Sequence, residues 1–203
     1  MLDLNTILLD THRSCMQHQL NPALLLVLTA LLAACAGNSQ MNQETAPQPP
    51  RTIVVGMTED PIQLNAFENN YANTLRTNSE SVCLVATGLP ELYDGLSVES
   101  LREAADEARA DVIILNRMVP SDRRDSDVGA LSAYLARSSG NQPLQQGEGR
   151  IASHAFDAET GALLWSGWSD PVNPKGRLRE LADAAEKLAD DVAGEDIMKP
   201  REK

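Results

Sequence analysis

Residues 100–115 read SLREAADEARADVIIL, and two structural periods meet there. Leu101, Ala104, Ala105 and Ala108 recur at i, i+3, i+4 and i+7, the stripe of an amphipathic helix. Ser97 stands where the N-cap is needed, and Glu99 falls in the first turn, where a carboxylate suits the helix dipole. Asp111 to Val119 (DVIILNRMV) then predicts a strand. Its apolar run lacks alternation, so it belongs in mid-sheet with both faces covered.

Working outward, Thr52–Met57 (TIVVGM) predicts a β-branched strand. Leu64, Phe67, Tyr71 and Leu75 have helical spacing, with Ala72 beside them. Ser81–Ala86 predicts a second strand, closed by Thr87-Gly88-Leu89-Pro90. Downstream, Arg150–Phe156 and Ala162–Trp168 flank the loop Asp157-Ala158-Glu159-Thr160-Gly161. Gly161 supplies the left-handed backbone that such a hairpin needs. For the last helix, Asn173 is the expected cap, Pro174 the first helical residue and Gly194 the residue past the end. Its stripe is Leu178, Leu181, Ala182, Ala185, Leu188, Ala189 and Val192. Between strand and hairpin, residues 120–149 hold a charged loop, SDRRDSD, and a turn-rich SSGNQPLQQGEG; Gly129–Arg137 reads equally as a short helix or a strand. The expectation is an α/β fold, a mixed β-sheet packed with helices in the order β-α-β-α-β-β-β-α. It forms a single domain over 52–198, with a tail at 199–203.

The N-terminal part is of another kind. Ala23–Ala34 reads ALLLVLTALLAA. Twelve helical residues rise only about 18 Å, short of a hydrocarbon core of about 30 Å, so the stretch suits a signal-peptide core. Leu32-Ala33-Ala34-Cys35 resembles the bacterial lipobox. That resemblance implies a diacylglyceryl thioether on Cys35, cleavage between Ala34 and Cys35, and acylation of the new amino terminus. Ala36 in place of Asp implies sorting to the outer membrane, with the domain facing the periplasm. Both Met1 and Met16 stand as possible starts, and basic residues are few before the apolar core. The expected divisions are a signal peptide over 1–34 and a lipidated cysteine with a flexible tether over 35–51. Sixteen tether residues span at most about 55 Å, and as a coil nearer 20–25 Å, so the domain works close to the membrane.

Composition limits the chemistry. The whole chain has a net charge of −12; with Arg13, Asp3 and Asp10 removed, 16 basic and 27 acidic residues give −11. Such a surface repels phosphate backbones, which excludes nucleic acid as the partner class. Cys15 leaves with the signal and Cys35 is acylated, so Cys83, in SVCLVATG, is a lone thiol and is read as buried. His154 is the one histidine past the signal, which rules out a site built on several histidines. It is read as structural, on the solvent or half-buried face of its strand. Glu103 with Glu107 and Asp183 with Glu186 have helical spacing and are read as solvated faces. Asp122, Asp125 and Asp127 lack the further acidic ligand of a calcium loop, and Arg123 and Arg124 interrupt them. No catalytic, cofactor or metal residue is assigned. Trp165 aligns with Leu163 toward the core, and Trp168 with Leu164 and Ser166 on the other face. Trp168 and Tyr134 are the candidate interaction residues.

FDAETGALLWSG by itself suggests a β-propeller blade, but blades repeat and this motif occurs once. The order SLREAADEARADVIIL, a variable insert, RIASHAFDAETGALLWSG and a closing helix resembles a group of envelope proteins. These are the lipoprotein activators of penicillin-binding proteins, the curli secretion lipoprotein and the N-terminal domain of the Tol periplasmic translocation protein. Ala110, Asp111, Thr160, Gly161 and Trp165 carry the resemblance over residues 52–193. It implies a non-catalytic envelope module that assists envelope assembly or peptidoglycan synthesis through another envelope protein. Two other functions are weighed. A binder of a small ligand or cell-wall fragment predicts a deep cleft lined by Tyr134 or Trp168. A carboxylate-dependent hydrolase predicts two carboxylates facing each other about 5–10 Å apart.

Overall fold

The computed structural model describes residues 48–57, 60–122, 128–138, 149–173 and 177–200. The signal segment, the cleavage site with Cys35 and most of the tether lie outside the described residues, as do Asp125 and Asp127.

The elements are β1 (Arg51–Met57), α1 (Pro61–Asn78), β2 (Val82–Val85), α2 (Val98–Ala108), β3 (Val112–Pro120), α3 (Leu131–Ser138), β4 (Gly149–Asp157), β5 (Leu163–Trp168) and α4 (Leu178–Ala193). One five-stranded sheet runs in the order β2-β1-β3-β4-β5. β1 pairs in parallel with β2 and β3, while β4 pairs antiparallel with β3 and β5. The mixed sheet inferred from the sequence is therefore present, and β3 is its middle strand. Residues 112–117 of β3 are all buried, because helices cover both faces. Val54, Ile114 and Ala155 pack with α1 and α4; Ile53, Ile113, Leu115 and Phe156 pack with α2 and α3.

Several local features follow from their residues. Ser97 caps α2 through the Ser100 amide, in a capping box closed by the Ser100 side chain. Leu101, Ala104, Ala105 and Ala108 are its buried stripe. Asp60 caps α1 through the amides of Ile62 and Gln63, and Pro61 opens the helix, one turn ahead of the apolar stripe. Asp111 Oδ2 accepts from the Arg51 amide at 2.9 Å, which ties the start of β1 to the α2–β3 junction. In the hairpin, Asp157 Oδ1 accepts from the amide and hydroxyl of Thr160, and Gly161 takes φ +71. The motif residues Asp111, Thr160 and Gly161 thus do structural work.

Four readings change. Gly129–Arg137 yields a helix, α3, which adds an element between β3 and β4. Its amide at Leu131 donates to Gly161 O, so the hairpin turn fixes where that helix begins. The last helix starts at Leu178, with Arg177 as N-cap and no side-chain cap, so Asn173 is not its cap; Pro174 lies outside the described residues. Gly194 closes that helix with φ −73, in the right-handed region. Its buried face includes Ala184, whereas Leu178 is exposed. Third, the β4–β5 register shifts: Phe156 faces Leu163, but Ala155 faces Trp165. The extra residue, Leu164, is a bulge. It puts Leu163 on the α2–α3 side and Trp165 on the α1–α4 side, so these two do not align. Finally, His154 is fully buried.

Candidate functional site

One row of paired residues crosses the sheet on the α1–α4 side: Gly56, Asn116, Ser153 and Gly167. Two lack side chains and two are small and polar, so the row forms a trough. Three helix or strand side chains fill most of it. Tyr71 from α1 sets its hydroxyl 3.0 Å from Ser153 Oγ. Trp165 folds its ring over Gly167, where an added Cβ would lie 2.5 Å from Cζ2. Gly167→Ala is therefore expected to push the indole off the sheet, cost about 1–3 kcal/mol in urea unfolding, and red-shift the tryptophan emission.

Glu68 from α1 fills the third part. It is fully buried, and its two carboxylate oxygens accept from the amides of Gly56 (2.8 Å) and Thr87 (3.0 Å). Burial pushes its pKa up, and the two backbone hydrogen bonds oppose that shift. A side chain at Gly56 would strike Leu64 Cδ1 at 2.5 Å and crowd Glu68, so the glycine makes this seat.

Over Asn116 the trough stays open. A cleft of about 40 Å³ lies there, lined by Gly56, Met57, Gln63, Phe67, Asn116, Arg117, Met118, Ile151 and Leu181. That is room for a water or two, or the end of one side chain. Asn116 is 2% exposed; its Nδ2 donates to Val55 O at 3.2 Å, and its Oδ1 has no hydrogen-bond partner. The cleft sits where β1 and β3 end. Chain connections leave β1 for β2 on one side and reach β3 on the other, the switch point at which open α/β sheets place ligands.

Among the described residues, three of the four exposed large apolar residues lie in or next to connections at that end of the sheet. Ile62 (68% exposed) opens α1, Tyr93 (68%) follows β2, and Leu178 (45%) opens α4. Leu178 lies one turn from Leu181, and Ile62 precedes Gln63 in the chain; Leu181 and Gln63 both line the cleft.

The sequence-nominated pair Trp168 and Tyr134 meets on the opposite face of the sheet, through His154. Tyr134 from α3 contacts the imidazole edge-on at 5.0 Å, and Trp168 does so at 5.5 Å. The Arg117 guanidinium lies 4.8 Å over the Tyr134 ring. Tyr134 is 2% exposed and Trp168 half-buried, so Tyr134 is a core residue. His154 Nδ1 pairs with Ser166 Oγ at 2.9 Å, and its Nε2 has no partner. Burial first, and Arg117 second, lower its pKa to about 4.

The other sequence candidates stay apart. Glu103, Glu107, Asp183 and Glu186 are exposed on helix surfaces. Cys83 is buried, and burial raises its thiol pKa. Among the described residues no His, Cys, Asp and Glu group suits a metal. Sequence reasoning missed Glu68 and Asn116. Glu68 falls on the apolar stripe of its helix, between Leu64 and Ala72 at four-residue steps, and that is the signal that marks it.

No family model matches the chain. No curated protein matches it either. Among solved structures it is similar to the PelC dodecamer from Paraburkholderia phytofirmans, with 16% identity and a TM-score of 0.43 over 78% of this chain and 93% of that one. It is also similar to the LpoB C-terminal domain from Salmonella enterica, with 12% identity and a TM-score of 0.39 over 66% of this chain and 91% of that one. Lipoprotein GNA1162 from Neisseria meningitidis gives 14% identity and a TM-score of 0.35 over 72% and 100%. No residue role is carried over from these structures.

Proposed function

We propose that this chain is a lipid-anchored interaction module of the bacterial cell envelope, which works by binding another envelope protein. Lipid on Cys35 anchors it to the outer membrane, the tether keeps the domain near that surface, and the domain faces the periplasm. The observation that carries the binding role is the exposure of Ile62, Tyr93 and Leu178, each in or next to a connection at the end of the sheet where β1, β2 and β3 finish. Large apolar side chains exposed in three separate connections supply anchors of the kind a partner contact uses. The buried titratable groups support binding over chemistry: both oxygens of Glu68 hold backbone amides, and His154 is locked among aromatic rings.

Crosslinking in intact cells, with mass spectrometry of what the tagged protein captures, tests this reading. One envelope protein is expected to be captured repeatedly. An Ile62→Ser, Tyr93→Ser, Leu178→Ser triple variant is expected to lose that capture while staying folded. A Cys35→Ala version should leave the membrane fraction and capture less. Undiminished capture by the triple variant would remove the sheet end as the contact surface.

A further inference from the structure

We propose that β5 is a self-association edge: two copies of this chain pair their β5 strands antiparallel about a two-fold axis at Gly167, which joins their sheets into one. The inference concerns the lateral edge of the sheet and does not rest on the partner contact proposed above.

The two edges of the sheet, β2 and β5, differ in how they are finished. On β2, the Val82 amide donates to Pro50 O, so Cys83 directs its carbonyl outward. Arg76 Nη2 covers that carbonyl at 2.6 Å and sets a charge on the edge. β5 has no such cover. Its phase is fixed by Ser169, whose amide donates to Ile151 O. Alternation from that bond turns Trp165 and Gly167 toward β4, and it turns the amides and carbonyls of Ser166 and Trp168 outward. Among the described residues, nothing is hydrogen-bonded to those outward groups. The strand LLWSGW also carries none of the charges or prolines that blunt an edge.

The register selects a second copy as the occupant. The open stretch is bounded on one side by the bulge at Leu164 and on the other by Pro171, which has no N–H to offer. Gly167 stands midway between Leu164 and Asp170, the residue before that proline. In an antiparallel pair centred there, Ser166 meets Trp168 of the second copy, and Trp168 meets its Ser166. Each such pair exchanges both backbone hydrogen bonds. The two glycines then face each other as the close pair, with Cα atoms about 4.5 Å apart and no side chains between them. Trp165 already folds over Gly167, so the two indoles roof the junction on the α1–α4 side. On the other face, half-buried Trp168 stands opposite exposed Ser166, large against small. No like charges are brought together, because the strand has none. A two-fold axis makes all of these matches at once, whereas a strand of another sequence must supply each separately.

The test uses the intact chain in detergent, with micelles in excess over protein. Sedimentation equilibrium is expected to show a reversible monomer–dimer equilibrium. Amide hydrogen exchange at Ser166 and Trp168 is expected to slow about tenfold or more as the chain is concentrated into the dimer, while the Gly167 amide, which faces β4, changes little. Added salt should tighten the dimer by screening two chains of −12 each. Ser166→Pro leaves the ladder to β4 intact, because that N–H points away from it, and is expected to weaken the dimer about tenfold or more. If that variant misfolds, exchange in the unaltered chain still decides. A chain that stays monomeric into the millimolar range overturns the proposal. So does a dimer in which Ser166 and Trp168 exchange as fast as in the monomer, which places the interface elsewhere. Protection at these amides that does not vary with concentration overturns it too, since the cover would then come from within the chain. A dimer that loosens as salt is added would be held by ion pairs, which this edge lacks, and counts against it equally.

Discussion

Glu68→Leu is expected to lower the unfolding free energy by about 2–4 kcal/mol at pH 7. Leucine fills much of the same volume but accepts no hydrogen bond. The amides of Gly56 and Thr87 would lose their acceptor, at about 1–3 kcal/mol for each donor left unsatisfied. A gain offsets part of this loss, because the variant no longer buries a carboxylate. The raised pKa of Glu68 records that desolvation. The sign with pH follows. A carboxyl whose folded pKa is raised contributes stability that is complete below its unfolded pKa and is lost as pH rises through the folded pKa. The gap between the wild type and the leucine variant should therefore widen toward acid. Urea unfolding at several pH values measures the gap, and hydrogen exchange should quicken at the Gly56 and Thr87 amides. A gap that narrows toward acid would mean that the carboxylate is stabilised as the anion.

The seat of Glu68 shows where sequence reading succeeds and where it stops. Local periodicity carried the elements. The alanine stripe and the Ser97 cap placed α2, and the unbroken run after Asp111 placed β3 in the middle of the sheet. Gly161 marked its turn because few other residues accept φ +71. α3 stayed ambiguous because eight residues carry too few periods to separate helix from strand. At α4, Asn173 carries a cap signal, yet the N-cap is Arg177 and the helix begins at Leu178. Leu181 is the first residue of the helix to reach the core, one turn past that start. The trough was beyond reach for a different reason. Gly56, Asn116, Ser153 and Gly167 become neighbours only through the register of four strands. A one-residue slip would send any of them to the other face. The same dependence misplaced Trp165, since the bulge at Leu164 reverses its side relative to Leu163.

Acid should unfold this domain earlier than its carboxylates alone require, with His154 responsible for on the order of 3 kcal/mol. Its folded pKa lies near 4 against an ordinary 6.5, through burial first and the Arg117 charge second. A base whose folded pKa is depressed contributes stability that is complete above its unfolded pKa and is lost as pH falls through the folded value. The loss should therefore run from about pH 6.5 to about pH 4, opposite in sign to the change at Glu68. Asp170 and Asp196 are lowered from their ordinary 3.8 by Lys187 and Lys199, so they lose their contribution at still lower pH and do not obscure this window. His154→Phe separates the contributions. Phenylalanine can keep the edge contacts with Tyr134 and Trp168, and it removes an Nε2 that has no partner. It leaves Ser166 to solvent, where that residue is already exposed. The variant should match the wild type at pH 7 within about 1 kcal/mol and lose most of the decline between pH 6.5 and 4. Thermal unfolding across that range decides the matter. A decline that survives in the variant would place the titrating group elsewhere. A large loss at pH 7 would mean that the imidazole hydrogen bond to Ser166 holds the β4–β5 pairing, a role that aromatic packing cannot replace.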